Sequence, residues 1–120
     1  NIIVKCDGDK VKEMIFNLLD NSIKYRDPCK ENSFVHITLN KENNRAILKI
    51  EDNGIGIDEK NIKNIFNRGF RVLEGELNGS VEGYGIGLTI VKNIIDKHGW
   101  DISVESTLKK GSIFKIQIPL

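Results

Sequence analysis

The chain has 120 residues, 39% of them hydrophobic, and its 18 basic and 17 acidic side chains leave a formal net charge of +1. This length and apolar content favour a single domain, residues 1–120, with one modest core. No basic block or cationic amphipathic helix is present, which argues against nucleic acid or a membrane surface as a direct partner. Two cysteines without metal-ligand spacing, and no apolar run of about twenty residues, favour a cytoplasmic location, although a larger parent protein could be membrane-anchored.

The N-terminal part of the chain predicts a short strand followed by a long helix. Residues 1–5 are mostly apolar and favour the strand. The helix is expected to begin at Asp9 as N-cap and to run to about Tyr25. One of its faces is an apolar stripe of the width that a core-facing helix needs. The stripe consists of Val11, Met14, Ile15, Leu18 and Leu19.

The middle of the chain predicts a hairpin, a helix and a long loop. Residues 34–40 and 46–51 favour strands joined by a polar turn. Residues 58–67 have a helical pattern, with Asp58 as its expected cap. Residues 68–84 contain four glycines and show no periodicity. Because structureless segments of this length in compact domains are often functional, we expect residues 68–84 to form a lid over a site.

A second long helix and a second hairpin complete the predicted fold. The apolar positions of this helix are Ile86, Ile90, Val91, Ile94 and Ile95. The helix is expected to end at Gly99, after a cationic last turn. Strands are predicted at residues 101–106 and 112–118. The order of elements predicts an α+β sandwich, in which one sheet carries helices on one face.

A polar ridge lies beside the apolar stripe of the first helix. Asn17, Asn21 and Lys24 follow the spacing i, i+4, i+7, which places them on one side of a helix. Two carboxamides and an ammonium in this arrangement suggest a site for an anion with its metal. A solvated helix flank is the alternative interpretation.

Asp52 is expected to point toward the apolar layer. It continues the alternation of Ala46, Leu48 and Ile50 along the second strand. A carboxylate there costs several kcal/mol unless it receives hydrogen bonds. The amino group of an adenine would satisfy it, and the glycine-containing residues 53–57 would allow a flat ring to approach. A simple Asp-Asn-Gly turn is the alternative.

Residues 83–88 carry three glycines at the start of the second long helix, where free N–H groups and the helix dipole favour a phosphate. This signal is weak alone, since the segment matches neither a P-loop nor the dinucleotide fingerprint. The only histidines, His36 and His98, have no evident nucleophile partner and do not suggest a hydrolase triad.

Four motifs together resemble the ATP-binding catalytic domain of sensor histidine kinases, in the superfamily shared with gyrase, MutL and heat-shock chaperones. Residues 17–25 resemble its N box, residues 52–56 its first glycine box, residues 65–71 its F box and residues 83–88 its second glycine box. Their order and intervals also match. The resemblance covers nearly the whole chain and implies a left-handed, two-layer α/β sandwich of the Bergerat type, with a mixed, mostly antiparallel sheet and three helices on one face.

The resemblance also implies cofactors and site residues. ATP and Mg²⁺ are the expected ligands, with Asn21 on the metal and Asp52 on the adenine amino group. Asn17, Lys24 and Arg71 are the implied catalytic residues. The implied nucleotide-binding set is Asn17, Asn21, Lys24, Tyr25, Asp52, Gly54, Gly56, Ile57, Arg68, Arg71, Gly83, Gly85, Ile86, Gly87, Leu88 and Ser112.

The function implied by the resemblance is transfer of the γ-phosphoryl group of ATP to a histidine. The expected partners are a histidine-bearing dimerisation hairpin of the parent kinase and a downstream response regulator. A conformational ATPase of the same superfamily is the main alternative, and a nucleotide-binding regulatory domain is another. Hydrolytic relatives and the anti-sigma serine kinases carry a glutamate at the position of Asn17. A carboxamide cannot act as a general base, so transfer is favoured over hydrolysis.

Overall fold

The computed structural model describes residues 2–66 and 84–120, and for residues 84–86 it describes the backbone alone. Within these ranges the chain forms two α-helices, a 3₁₀-helix and four strands. The helices are α1 (Gly8–Lys24), the 3₁₀-helix (Glu59–Asn64) and α2 (Tyr84–His98). The strands are β1 (Val35–Glu42), β2 (Arg45–Asp52), β3 (Asp101–Thr107) and β4 (Gly111–Pro119). The predicted lid, residues 68–84, lies outside the described residues except for its last member, Tyr84, which begins α2.

The four strands form one sheet in the order β1-β2-β4-β3, and each neighbouring pair is antiparallel. Alternate residues of the two central strands are buried against α1 and α2, among them Leu48, Ile50, Phe114 and Ile116. The predicted α+β class, with one sheet and helices on one of its faces, is confirmed. The parallel pairing that a mixed sheet requires does not occur among the described strands.

The strand predicted at residues 1–5 is not formed by its described part, residues 2–5. Ile2 and Val4 pack against the core while Ile3 is exposed. The side chains therefore alternate as in a strand, but none of the four described strands pairs with this segment.

Helix α1 begins two residues earlier than predicted. Its N-cap is Asp7, whose carboxylate accepts hydrogen bonds from the backbone N–H groups of Asp9 at 3.1 Å and Lys10 at 3.2 Å. Asp9 lies in the first turn, where its charge complements the helix dipole. The predicted apolar stripe is confirmed, because Met14 and Leu18 are buried and the other stripe members pack against the core.

The helix predicted over residues 58–67 is a shorter 3₁₀-helix. Asp58 caps it as expected, accepting a hydrogen bond from the N–H of Lys60 at 3.1 Å. Ile65, just after its end, is fully buried, and Ile62 is partly buried against the core. Two turns of 3₁₀-helix, anchored by these isoleucines, satisfy the apolar pattern here without a full α-helix.

Both predicted hairpins are confirmed. β1 and β2 are joined by Asn43 and Asn44, which have φ angles of 49° and 62°. Two successive positive φ values are typical of a type I′ turn, whose twist matches that of the strands. β3 and β4 are joined by residues 108–110.

The core lies between the helical layer and the sheet. Its largest fully buried side chains are Phe114, Met14, Leu18, Ile50, Ile65, Leu88, Ile95, Ile116 and Val91. Of the helices in the described ranges, none is long and apolar enough to cross a membrane.

Helix α2 ends in a Schellman motif. The N–H of Gly99 donates to the carbonyl of Asp96 at 3.1 Å, and the N–H of Trp100 donates to that of Ile95 at 3.0 Å. Gly99 has a φ angle of 71°, a left-handed conformation that residues with a Cβ atom rarely adopt. Trp100 is buried and its ring lies 4.3 Å from that of His98. The glycine lets the chain reverse so that Trp100 reaches the core.

We predict that Gly99→Ala lowers the free energy of unfolding by about 1–2 kcal/mol, because alanine is strained at this φ angle. Gly8→Ala is the matched control, since Gly8 is the first residue of α1 and an added Cβ there meets no described atom within 4 Å apart from its chain neighbours and the backbone of its own helix. That change should be neutral or stabilising. Urea unfolding measures both variants, and equal effects would contradict the motif.

Candidate functional site

Asp52 ends strand β2 on the helix-covered face of the sheet, as its spacing predicts. One carboxylate oxygen accepts a hydrogen bond from the N–H of Gly54 at 2.9 Å. The other accepts one from the hydroxyl of Ser22 on α1 at 3.1 Å. Burial raises the pKa of Asp52, and the hydrogen bonds from Gly54, Ser22 and the N–H of Ser112, together with the charge of Lys30, act in the opposite direction. The carboxylate is therefore fixed in an environment that penalises its charge.

A pocket opens directly beside this carboxylate. It is lined by Asn21, Tyr25, Asp52, Ile55, Gly56, Ile57 and Ser112. The cavity volume is about 20 Å³, which is room for one water molecule, so a larger ligand must extend beyond the cavity. The lining combines two isoleucines with four side chains that carry polar atoms, so a ligand here can make both apolar contacts and hydrogen bonds.

The β3–β4 hairpin forms one wall of this pocket through a close backbone approach. Gly56 has a φ angle of 75°, and a Cβ atom there would collide with the carbonyl of Thr107. Beside this contact, the N–H of Lys109 donates to the carbonyl of Ile55 at 2.7 Å. Only glycine permits this approach, so Gly56 allows the β3–β4 hairpin to pack against the pocket.

A pair of serines fixes the floor of the pocket. Ser106 accepts a hydrogen bond from the N–H of Ile57 at 2.7 Å and donates to the carbonyl of Gly111 at 2.8 Å. Its oxygen also lies 2.7 Å from the hydroxyl oxygen of Ser112. Since the proton of Ser106 is used on Gly111, Ser112 is the donor of that pair. The oxygen of Ser112 keeps capacity to accept a hydrogen bond from a ligand.

The polar ridge of α1 runs from this pocket toward the start of α2. Asn21 lines the pocket. Asn17 faces α2, because its side-chain oxygen lies 3.6 Å from the position that a Cβ on Gly87 would occupy. Lys24 lies in the last turn of α1, with its ammonium 3.1 Å from the carboxylate of Asp20. The ridge thus lies between the half-buried carboxylate of Asp52 and the N-terminal end of α2.

Several residues implied by the resemblance are not placed in this site. Arg68, Arg71 and Gly83 lie outside the described residues. The description of Gly85 and Ile86 is limited to the backbone of α2. Leu88 is buried in the core, and as the fifth residue of α2 its N–H is positioned for an intrahelical bond, so the described structure does not present it to a ligand.

Comparisons with known proteins establish the family of the chain. The family profile described as histidine kinase-, DNA gyrase B- and HSP90-like ATPase matches residues 6–120. The chain belongs to this ATPase family. Among its relatives, sensor protein RprX of Bacteroides fragilis is 38% identical over 120 residues, covering all of this chain and 23% of RprX. Sensor histidine kinase YkoH of Bacillus subtilis is 35% identical over 117 residues, covering 98% of this chain and 24% of YkoH.

Solved structures of the family share the fold. The mycobacterial sensor histidine kinase MprB matches with a TM-score of 0.82 and 30% identity, over 97% of this chain and 76% of that one. The catalytic domain of histidine kinase ThkA, free of nucleotide, matches with a TM-score of 0.76 and 27% identity, over 97% of this chain and 70% of that one. The present chain spans about a quarter of the length of the curated sensor proteins it matches.

The surroundings of the pocket include residues that the sequence analysis does not single out. Ser22 holds one oxygen of Asp52, and Ser106 holds Ser112. A signal for Ser22 was present, because it follows Leu18 by four residues and so continues the apolar stripe with a polar side chain that needs a partner. Ser106 gave no such signal, since serine is common near strand ends.

We predict that Asp52→Asn does not destabilise the protein near pH 7, because the amide removes the charge and keeps a partner for each neighbouring group. Its oxygen can accept from the N–H of Gly54, and its nitrogen can donate to the hydroxyl oxygen of Ser22, whose proton then goes to the carbonyl of Leu18 at 3.2 Å. A carboxyl whose pKa burial raises contributes stability that is present below its ordinary pKa of 3.8 and lost as pH rises through the raised value. The stability advantage of the variant over the wild type should therefore shrink as pH falls.

Urea unfolding of both proteins, from about pH 7 down to the lowest pH at which they fold, tests this. A variant less stable by more than about 1 kcal/mol near pH 7 would show that the ionised carboxylate stabilises the fold.

Proposed function

We propose that this chain binds Mg·ATP and transfers the γ-phosphoryl group to a histidine on a separate segment of its parent protein, in two-component signalling. The observation that carries the proposal is the fixed, half-buried carboxylate of Asp52 beside a pocket, in a chain of this ATPase family. A charge kept at a cost to stability is typical of a binding site.

The pocket's polar groups fit the amino edge of adenine. Asp52 and Ser112 both offer oxygens that accept hydrogen bonds, as an exocyclic amino group requires. Ile55 and Ile57 supply apolar surface for a flat ring. Guanine presents a carbonyl at the corresponding position, which a carboxylate would repel. We therefore propose that the site selects ATP over GTP.

The polar ridge of α1 fits the phosphates and their metal. Mg²⁺ prefers oxygen ligands, and the side-chain oxygen of Asn21 is the candidate, with Asn17 in support. Among the described residues, no cluster of three or more His, Cys, Asp or Glu side chains offers an alternative metal site. Lys24 of the ridge, with Arg68 and Arg71 outside the described residues, would balance the phosphate charge. When bound, the metal would neutralise charge on the phosphates.

Asn17 supports transfer rather than hydrolysis. Its carboxamide lies between α1 and the start of α2 and cannot remove a proton from water. The nucleophile must then come from a partner, for which we propose a histidine-bearing helical hairpin of the parent protein. A response regulator would accept the phosphoryl group from that histidine, and the cytoplasm is the compartment where these partners meet.

We predict that Asn21→Ala weakens Mg·ATP binding by about tenfold or more and metal-free ATP by less, because it removes the proposed protein ligand of the metal. Calorimetric titration with and without Mg²⁺ measures the difference. Asn40→Ala on the exposed part of β1 is the matched control and should change neither affinity. Equal losses under both conditions would place the metal elsewhere.

We predict that the chain alone binds ATP without phosphorylating itself or turning ATP over, since phosphoryl transfer depends on a positioned nucleophile. Both ring nitrogens of His98 are engaged: one lies 2.8 Å from the carbonyl of Ile94, and the other accepts the N–H of Asp7 at 3.1 Å. His36 is exposed on β1, away from the pocket.

The test is labelled ATP with and without the histidine-bearing hairpin of the parent protein. Acid-labile phosphate should appear on the hairpin only, and Asp52→Asn should reduce it. Phosphate on His36 or His98, or steady ATP turnover by the chain alone, would overturn the proposal.

A further inference from the structure

We propose that Lys30 is a positioning residue for adenine recognition, because its ammonium joins the two backbone segments that carry Asp52 and Ser112. The inference rests on the proposed binding of ATP in this pocket. Lys30 lies in the connection between α1 and β1, a part of the chain to which the family resemblance assigned no role.

The ammonium of Lys30 lies between two carbonyl groups from distant parts of the chain. It donates to the carbonyl of Asn53 at 2.7 Å and to that of Lys110 at 3.5 Å. Asn53 directly follows Asp52, and Lys110 precedes Ser112 by two residues. One side chain therefore holds together the β2 end and the β3–β4 hairpin, the two segments that supply the proposed adenine acceptors.

The backbone that carries Lys30 is itself fastened to the same place. The side chain of Asn53 accepts a hydrogen bond from the N–H of Phe34 at 2.9 Å and donates to the carbonyl of Asn32 at 2.8 Å. Before Lys30, the carboxylate of Asp27 accepts the N–H of Cys29 at 2.9 Å. Because the backbone after Lys30 is tied to Asn53 and the ammonium already contacts two carbonyls, little side-chain freedom is left to lose when a ligand binds.

The charge of Lys30 also favours the ionised form of Asp52, which is the form that accepts hydrogen bonds with both oxygens. The other groups that lower the pKa of this carboxyl are the neutral donors Gly54, Ser22 and Ser112. Among the described residues, Lys30 is the one group with a full charge that lowers the pKa of Asp52, and its effect is smaller than those of the three neutral donors. Removal of the Lys30 charge should raise the pKa of Asp52. As pH falls, the carboxylate of a Lys30 variant should therefore become protonated at a higher pH than that of the wild type.

Lys30→Met is the direct test, with Lys110→Met as the matched control. The control makes the same change in net charge but keeps the Lys110 carbonyl that accepts from Lys30. We expect Lys30→Met to weaken ATP binding by about tenfold and to reduce the preference for ATP over GTP, while Lys110→Met binds as the wild type does. Calorimetric titration with each nucleotide gives both values.

The pH dependence of ATP binding separates positioning from general stability. In Lys30→Met the midpoint at which falling pH abolishes binding should move to higher pH, relative to both the wild type and Lys110→Met. A residue with a merely structural role would lower the unfolding midpoint and leave this binding midpoint in place. Lys30→Arg, which keeps the charge, should restore the wild-type midpoint.

A second variant covers the case in which Lys30→Met does not fold. Lys30→Gln keeps a donor for the two carbonyls without the charge, and its pH midpoint should still move upward. An unchanged midpoint and affinity in a folded Lys30 variant would overturn the inference while ATP binding by the wild type stands. If the wild type does not bind ATP, the proposed function fails as well.

Discussion

Removing the carboxylate of Asp52 from water is the constraint around which the site is built. An uncompensated carboxylate in an apolar layer costs several kcal/mol, so the surrounding elements must supply donors. Helix α1 supplies the hydroxyl of Ser22, and the loop after β2 supplies the N–H of Gly54. Both donors hold the carboxylate, yet burial still raises its pKa. The arrangement therefore costs stability in the ligand-free protein, and a ligand that donates to Asp52 would recover part of that cost.

The pocket exists because backbone segments approach one another where side chains would keep them apart. Gly56 lies against Thr107, and the hairpin that contains Thr107 leads into Ser112. Antiparallel pairing of β2 with β4 then places Ser112 directly opposite Asp52. The register of the sheet thus brings the two proposed acceptors together, although they are far apart in sequence. A slip of one residue would turn one of them to the other face.

The sequence was sufficient for features that depend on local periodicity. Alternation along β2 predicted the direction of Asp52, and the apolar stripe of α1 predicted its buried face. Local sequence does not distinguish Asp7 from Asp9 as the N-cap of α1, because Asp7, Gly8 and Asp9 are all acceptable caps. Lys30 was missed for a different reason. Its partners, Asn53 and Lys110, lie 23 and 80 residues away, and no pattern within a segment encodes such contacts.

The division of labour between this chain and its proposed partner follows from what the site contains. The site contains hydrogen-bond acceptors at Asp52 and Ser112, carboxamides at Asn17 and Asn21, and a helix N-terminus near Asn17, which are groups suited to the proposed nucleotide. Positioning and charge stabilisation account for most of the catalysis of phosphoryl transfer, and such groups can supply both. A general base is a different requirement, which a carboxamide at Asn17 cannot meet. Neutral imidazole is already nucleophilic near neutral pH, so a histidine acceptor needs no such base. A carboxamide at Asn17 is therefore consistent with the proposed histidine acceptor, which carries its own reactivity. If the chain binds ATP as proposed, the lack of a general base at this position would also slow hydrolysis of that ATP by water.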